Sequence, residues 1–88
     1  MKPLNYAILK HFTKVTEASA LDVMEALKKD YSSFKAFNKA AIIDALLTAE
    51  ANGLIEEARV DLDNNEELII FYCANEESKA VINGYIRD

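Results

Sequence analysis

The stretch that decides the fold runs from Asn38 to Glu56 and reads NKAAIIDALLTAEANGLIE. Asn is a favoured helix N-cap, and Gly tolerates the left-handed backbone conformation in which many helices end. Asn38 and Gly53 therefore predict the two ends of a helix over about residues 38–52. Apolar residues recur between them at helical spacing, and the spacing changes to alternation after Gly53. The chain is expected to pass from a helix into a strand at this glycine.

Two further helices are predicted before this stretch. The first apolar stripe has spacings of four, four and three and consists of Leu4, Ile8, Phe12 and Val15. This spacing predicts a helix over about residues 3–14. Ser19 is a good N-cap, and Asp22 follows it in the first turn, where a carboxylate suits the helix dipole. A second helix is therefore predicted over about residues 19–30.

The remaining chain predicts a hairpin and a last helix. Loose alternation after Gly53, a turn rich in Asn and Asp near Asn64, and a β-rich run at 68–73 indicate two paired strands over about residues 54–73. Asn75 then has the character of an N-cap and is followed by two glutamates. A C-terminal helix is predicted over about residues 75–87.

Three helices, a two-stranded hairpin and a fourth helix resemble the winged helix-turn-helix. The stretch from Asn38 to Glu56 is similar to the family's recognition helix running through a Gly-Leu-Ile-Glu junction into the first wing strand. Residues 71–79 are similar to the second wing strand and the next helix start, although Asn75 and Ser78 replace the usual Thr and Gly. The resemblance covers nearly the whole chain. It implies a mainly α fold with a small antiparallel hairpin, as one domain over residues 1–88.

The resemblance also implies sequence-specific DNA binding by a transcriptional regulator. In a winged helix, the third helix enters the DNA major groove, and its N-terminal residues meet base edges. The segment around that helix start is basic, because residues 28–39 carry a local charge of +3 while the rest of the chain carries −8. The residues expected to contact DNA are Lys28, Lys29, Ser32, Ser33, Lys35, Asn38, Lys39 and Ile42.

These residues also have a simpler interpretation. Lys35, Asn38 and Ile42 share one helical stripe only if the third helix begins early. Asn can pair with adenine, and Lys can reach guanine or phosphate. Alternatively, lysines near a helix C-terminus only offset its dipole, and Asn38 is only a cap. Ile42 could equally face a partner protein.

The predicted wing is acidic. Residues 54–67 carry a local charge of −5, whereas wings that grip DNA usually carry Arg or Lys to neutralise phosphate. This wing is therefore expected to stay out of the minor groove. It is interpreted either as a solvated hairpin or as a surface that binds a protein partner or imitates DNA. The alternative function is a winged-helix interaction module that binds a protein and no DNA.

Composition argues against other classes of protein. The 88 residues are 51% hydrophobic and carry a net charge of −5, which fits one small globular domain. A single cysteine, Cys73, and a single histidine, His11, provide neither a disulfide framework nor a metal cluster nor a catalytic pair. Residues 61–65 are like the start of a calcium loop, but Glu66 and Tyr72 stand where Gly and Glu are needed. No enzymatic activity, metal or cofactor is expected.

No membrane association is expected either. The longest apolar run has seven residues, whereas a membrane-spanning helix needs about 20. The first residues also lack the pattern of a secretory signal. The sequence is therefore expected to belong to a cytoplasmic protein.

The first and last helices carry more apolar side chains than a small core obviously needs. Winged-helix regulators often dimerise through such helices, and a two-fold dimer matches a palindromic DNA site. A homodimer is predicted, and the alternative is that these side chains complete the core of one chain. The residues concerned are Tyr6, Phe12, Val81, Ile82, Tyr85 and Ile86.

Overall fold

A computed structural model describes residues 1–87. The elements in chain order are α1 (Leu4–His11), α2 (Ala20–Tyr31), α3 (Lys39–Ala51), β1 (Glu56–Leu62), β2 (Leu68–Cys73) and α4 (Glu76–Tyr85). The two strands form an antiparallel sheet. The predicted fold class is thereby confirmed: the molecule is a winged helix. The last residue of the predicted domain, Asp88, lies outside the described part of the chain.

Side-chain caps fix the starts of three helices. At α2, the Ser19 hydroxyl accepts from the Asp22 N–H at 3.2 Å, and the Asp22 carboxylate accepts from the Ser19 N–H at 2.9 Å. This reciprocal pair satisfies two backbone donors that the helix itself leaves free. Asn38 caps α3, and Asn75 caps α4 by accepting from the Ser78 N–H at 2.8 Å.

Helix α1 is shorter than its apolar stripe predicts. It ends at His11, and the N–H groups of residues 12–14 bond to carbonyls three residues earlier rather than four. The Thr13 hydroxyl also donates to the Lys10 carbonyl at 2.7 Å. Apolar spacing persists through this tight turn, so spacing alone could not locate the end of the helix.

The junction between α3 and β1 depends on Gly53. Its φ is +74°, which side chains disfavour and glycine tolerates. The N–H of Gly53 bonds to the Glu50 carbonyl at 2.9 Å, and the N–H of Leu54 bonds to the Ala49 carbonyl at 3.0 Å. These bonds close the C-terminus of α3 and direct the chain into the hairpin.

The hairpin turns where the Asn- and Asp-rich segment predicts. The Asp63 carboxylate accepts from the N–H groups of Asn65 at 2.8 Å and Glu67 at 2.9 Å. A register irregularity between Glu57 and Arg59 leaves Ala58 as the extra residue of a β-bulge. The hairpin is joined to the helices by a bridge between Ala18 and Tyr72, whose N–H and C=O groups bond reciprocally at 2.9 Å.

One apolar core lies between the helices and the hairpin. Its most deeply buried side chains are Phe12, Ile8, Ile42, Leu46 and Val23. Phe12, Ile82 and Ile86 all belong to this core, which corrects their prediction as dimer-interface residues. They complete the packing of a single chain, and Ile82 and Ile86 also line a groove between α1 and α4.

Helices α1 and α4 are also joined by a buried lysine. The Lys10 ammonium donates to the Asn83 side-chain oxygen at 2.7 Å and to the Ile86 carbonyl at 2.8 Å. Both acceptors lie in the last turn of α4 or directly after it. A cation at this position complements the negative end of the helix. Lys10 therefore fixes the C-terminal helix against the first.

Candidate nucleic-acid interface

The turn between α2 and α3 is held by aromatic packing. The rings of Tyr31 and Phe34 meet edge to face with their centroids 5.1 Å apart. The Tyr31 hydroxyl donates to the Lys2 carbonyl, which ties this end of α2 to the N-terminus. The N–H of Phe37 bonds to the Phe34 carbonyl at 3.0 Å. The side chains of this turn are therefore presented from a defined backbone.

The six predicted DNA contacts at Lys28, Lys29, Ser32, Ser33, Lys35 and Lys39 are all exposed. Lys28 pairs with Glu25 at 2.9 Å across one helical turn. Within residues 1–87, no ion pair is recorded for Lys29, Lys35 or Lys39. Three cations at the junction of the two helices are thus available to an external anion.

Lys35 lies in the turn and not on a helix. Helix α3 begins at Lys39, so the early start that would place Lys35, Asn38 and Ile42 on one helical stripe is wrong. The cause is Asn38, which has an extended backbone and accepts from the Ala41 N–H at 2.9 Å. An N-cap has this non-helical backbone and marks the end of the helix.

Both the oxygen and the nitrogen of the Asn38 side-chain amide form hydrogen bonds within the protein. Its oxygen caps α3, and its nitrogen donates to the Lys35 carbonyl at 3.1 Å. Pairing with adenine uses the same oxygen and nitrogen together, so it would require both internal bonds to break. The structure therefore favours the cap, and base reading by Asn38 stays a prediction.

The prediction that Ile42 contacts DNA is wrong, because the Ile42 side chain is fully buried in the core. At 100° per residue, the side of α3 opposite Ile42 and Leu46 is formed by Ala40, Asp44 and Leu47, which are exposed. The sequence reasoning missed this outward face. The doublets Ile42-Ile43 and Leu46-Leu47 contain the missed signal, because adjacent helical residues lie about 100° apart and cannot both point to the middle of the buried face.

The N-terminus of α3 differs from those of α2 and α4. The first turns of α2 and α4 contain acidic residues, whereas α3 has none and begins with Lys39. Its cap satisfies the Ala41 N–H, and the Asn38 carbonyl accepts from the Ile42 N–H at 3.0 Å. The positive end of the helix dipole and the Lys39 charge thus reinforce each other. This combination suits an anion such as phosphate.

The wing, in contrast to the start of α3, is negatively charged. Its one cation, Arg59, donates to the Glu17 carboxylate at 2.7 and 2.9 Å and lies 3.9 Å from the centroid of the Phe71 ring. The hydrogen bonds that Arg59 donates to Glu17, together with the charges of Glu17 and Asp61, raise the pKa of Arg59. Arg59 is therefore engaged at the base of the hairpin, and the tip displays carboxylates. These carboxylates belong to Asp61, Asp63, Glu66 and Glu67.

Among the described residues outside this surface, His11 and Cys73 have shifted pKa values. Burial, followed by the charge of Lys14, lowers the pKa of His11. Burial, followed by the charge of Glu56, raises the pKa of Cys73, which keeps its thiol protonated. Among residues 1–87, no three His, Cys, Asp or Glu side chains are grouped as metal ligands. None of the helices in this part of the chain has the length and apolar character needed to span a bilayer.

A separate apolar surface lies between α1 and α4. Tyr6, Val81 and Tyr85 remain exposed there, and the rings of Tyr6 and Tyr85 meet edge to face at 6.5 Å. They flank a groove of about 250 Å³, to which Leu9 and Leu54 also contribute. Half of the predicted dimer-interface residues thus lie together on one accessible surface, which we call the α1–α4 face.

Comparison with solved structures supports the fold. The chain is similar to PadR from Bacillus subtilis, a structure determined in complex with operator DNA, with a TM-score of 0.73 and 20% sequence identity. The similarity covers 97% of this chain and 48% of the PadR chain, so the chain spans about half the length of that protein. No protein-family model matches the sequence. No curated protein matches it either.

Proposed function

We propose that this chain is a winged-helix transcriptional regulator that binds double-stranded DNA through the α2–α3 junction. The observation that carries the proposal is the set of exposed lysines at this junction, around a helix N-terminus that lacks acidic residues. The fold adds support, since a PadR structure with the same architecture was solved on operator DNA. The proposal contains no catalytic step and no cofactor. It also places the chain in the cytoplasm, with the DNA.

Phosphate contact is the main source of affinity in this proposal. Lys29, Lys35 and Lys39 neutralise backbone charge, and the exposed hydroxyls of Ser32 and Ser33 offer hydrogen bonds to phosphate. The outward face of α3 offers apolar contacts and the carboxylate of Asp44 to the major groove, and such groups match thymine methyls and the cytosine amino group. Because few cations take part, affinity should be modest at physiological salt.

A second candidate is a winged-helix module that binds a protein partner and no DNA. The acidic wing tip favours it, because carboxylates at close range repel phosphate. The outward face of α3 favours it too, since Leu47 is exposed beside Asp44 and that face has no cation in its middle. The two candidates differ in one measurable property, which is binding to DNA at low salt.

The test is the fluorescence anisotropy of a labelled 24-base-pair duplex of mixed sequence, titrated with the protein at 25 mM salt. Nonspecific phosphate contacts are strongest under this condition. We expect the wild-type protein to bind and the double variant Lys35→Glu, Lys39→Glu to lose binding. The matched control is Lys14→Glu, Arg87→Glu, which changes the net charge equally outside the α2–α3 junction and should retain most of the binding.

Two results would overturn the DNA proposal. The first is a wild-type protein that does not bind at 25 mM salt, and this result would favour the protein-binding module. The second is an equal loss of binding in both double variants, because affinity would then depend on total charge rather than on the α2–α3 junction. Circular dichroism of both variants establishes that they are folded.

The proposed assembly is a homodimer through the α1–α4 face. Tyr85 is 77% exposed and Val81 is 53% exposed, although both lie on a helix that packs against the core. Burial of a large apolar side chain contributes about 1.5–3 kcal/mol, so a second copy that covers this face would gain substantially. A two-fold pair would also present two α2–α3 junctions to a palindromic site.

Sedimentation velocity tests the dimer. We expect the wild-type protein to sediment as a dimer at 100 µM and the variant Tyr85→Lys to sediment as a monomer. Leu47→Lys is the control, because Leu47 is also a large exposed apolar residue but lies on α3. A wild-type monomer at this concentration, or a dimer that survives Tyr85→Lys, would contradict this assembly.

A further inference from the structure

The outer edge of β2 is incompletely paired. One edge of β2 pairs with β1 along its length, and the other edge meets only the bridge from Ala18 to Tyr72. After Ala18 the chain turns away, because Ser19 caps α2 and the helix begins at Ala20. Towards the wing tip, the described residues 1–87 place no further strand beside this edge.

The direction of the backbone groups follows from strand alternation. The N–H and C=O of one residue in an antiparallel strand point to the same side, and the next residue points to the opposite side. Tyr72 bonds outward to Ala18 through both groups, whereas the Glu67 carbonyl accepts from the Asp63 N–H on the β1 side. Ile70 and Leu68 therefore direct their N–H and C=O groups outward, away from β1.

The opposite edge of the hairpin is partly blocked. The register places Leu62 directly opposite Leu68, so the Leu62 N–H also points outward, but from β1. That N–H donates to the Asp61 carboxylate at 2.8 Å. A charged side chain that covers its own edge discourages strand pairing. The two edges are thus unequal, and the edge of β2 is the more open one.

The open edge borders an apolar cleft. The cleft has a volume of about 130 Å³ and lies between the start of α2, the side of α3 and the hairpin. Its lining includes Leu21, Ile43 and Ile70, and Leu68 at its border is 70% exposed. A strand laid along the edge would place alternate side chains towards this cleft, since side chains alternate between the two faces of a sheet.

The charges around the cleft indicate which kind of peptide segment it can bind. Asp63 and Glu67 line the cleft at the wing tip, and Asp61 and Glu66 lie beside them, while Lys39 lines the cleft on the side of α3. The wing-tip end of the cleft is therefore acidic. Arg59 is bonded to Glu17 and does not offset this charge at the tip. A segment with lysine or arginine beside its apolar residues is therefore complementary, and an acidic segment is repelled.

We infer that the outer edge of β2 binds an extended segment of a protein partner, which adds a strand at Leu68 and Ile70 and places apolar side chains in the cleft and basic residues at the wing tip. Main-chain hydrogen bonds supply affinity in this mode, and the pocket and the charges supply specificity. The inference can be tested apart from DNA binding, because the test involves no nucleic acid, although Lys39 belongs both to the cleft lining and to the α2–α3 junction.

The probe is a blocked nine-residue peptide that alternates valine and threonine and has two lysines at each end. We expect it to bind the wild-type protein in a calorimetric titration. A peptide with glutamates in place of the lysines should bind at least tenfold more weakly. A lysine peptide that carries N-methyl groups on alternate amides should also lose at least tenfold, because it cannot donate to the edge.

Two pairs of variants locate the peptide. Leu68→Pro removes an outward N–H without removing a bond to β1. Leu62→Pro removes an outward N–H on the other edge without removing a bond to β2, although it also removes the bond to the Asp61 carboxylate. We expect at least a tenfold loss for Leu68→Pro and less than a twofold change for Leu62→Pro. Should proline unfold the hairpin, Leu21→Lys tests the cleft at an exposed helical position, with Leu47→Lys as its control.

Three results would overturn the inference. One is equal binding of the lysine and glutamate peptides, and another is an equal effect of Leu68→Pro and Leu62→Pro. The third is a protein dimer that Leu68→Pro dissociates, because a second copy of the chain would then occupy the edge. The DNA titration remains informative in each case, so failure of this inference is separable from failure of the proposed function.

Discussion

The α2–α3 junction and the wing belong to one fold but carry opposite charge. At the junction, Lys29, Lys35 and Lys39 stand exposed around a helix N-terminus that has no acidic residue. At the wing tip, carboxylates stand exposed, and the nearest guanidinium is bonded to Glu17. The two regions therefore cannot serve the same polyanion equally well. If DNA is the ligand, the junction must supply the contacts while the wing stays away.

The difference shows that fold and surface carry separate information. The helices and the hairpin follow from caps, spacing and one glycine, and they would form with many different surfaces. The ligand is chosen by the few side chains that the fold exposes. Changing the charge of one region at a time therefore tests the comparison directly.

The largest effect is expected when the wing is made basic. Glu66→Lys with Glu67→Lys should raise DNA affinity at low salt about tenfold, because the wing can then reach phosphate. The slope of log affinity against log salt should become steeper by about two. The control pair Glu56→Lys with Glu57→Lys lies at the other end of β1, about 20 Å along the strand. An equal gain from both pairs would mean that only net charge matters.

Removing the α3 cap should lower stability without changing recognition. Asn38→Ala should reduce the free energy of unfolding by about 1 kcal/mol and the melting temperature by about 4–8 °C. Preference among DNA sequences, measured by selection from a random library, should stay the same. Asn75→Ala removes the corresponding cap of α4 and should cost a similar amount. An unchanged melting temperature with a lost base preference would identify Asn38 as a base-reading residue.

Replacing Arg59 tests whether the wing contacts DNA, and the expected change in DNA affinity is smaller. If this guanidinium serves Glu17 and Phe71 rather than DNA, Arg59→Gln should change DNA affinity by only about twofold and leave the salt slope unaltered. The anisotropy titration at several salt concentrations measures both quantities. A tenfold loss, or a slope that becomes shallower by about one, would show that Arg59 contacts phosphate and that the wing participates.

The smallest effect concerns pH. Burial lowers the pKa of His11 in the folded chain, so the unfolded chain binds a proton more readily. Stability should therefore fall as the pH drops below about 6.5, and His11→Gln should remove this part of the decline. Denaturant titrations at several pH values measure this effect, and an identical pH profile for His11→Gln would contradict it.

Much of the fold could be predicted from the sequence because its signals are local. Asn38, Gly53 and the Asn- and Asp-rich turn act within a few residues, and the structure uses each of them. The end of α1 could not be predicted, because apolar spacing continues through the turn that follows His11. The bulge at Ala58 could not be predicted either, since it depends on pairing between two strands.

The candidate site was less predictable because exposure is a property of tertiary packing. Position next to the lysines suggested Ile42, but packing places it in the core and turns Leu47 outward. Likewise, Phe12 and Tyr85 are both aromatic residues of the terminal helices, and only the fold shows that one is buried and the other exposed. Charge clusters could be located from sequence, whereas the partner of Arg59, Glu17, lies 42 residues away along the chain.

The central claim is that DNA contacts the α2–α3 junction and not the wing. The most direct measurement is an amide NMR titration of the ¹⁵N-labelled protein with a mixed-sequence duplex at 25 mM salt. The account predicts chemical-shift changes concentrated in residues 28–40, with little change in residues 61–67. Changes centred on residues 61–67, or no change anywhere in the spectrum, would contradict it.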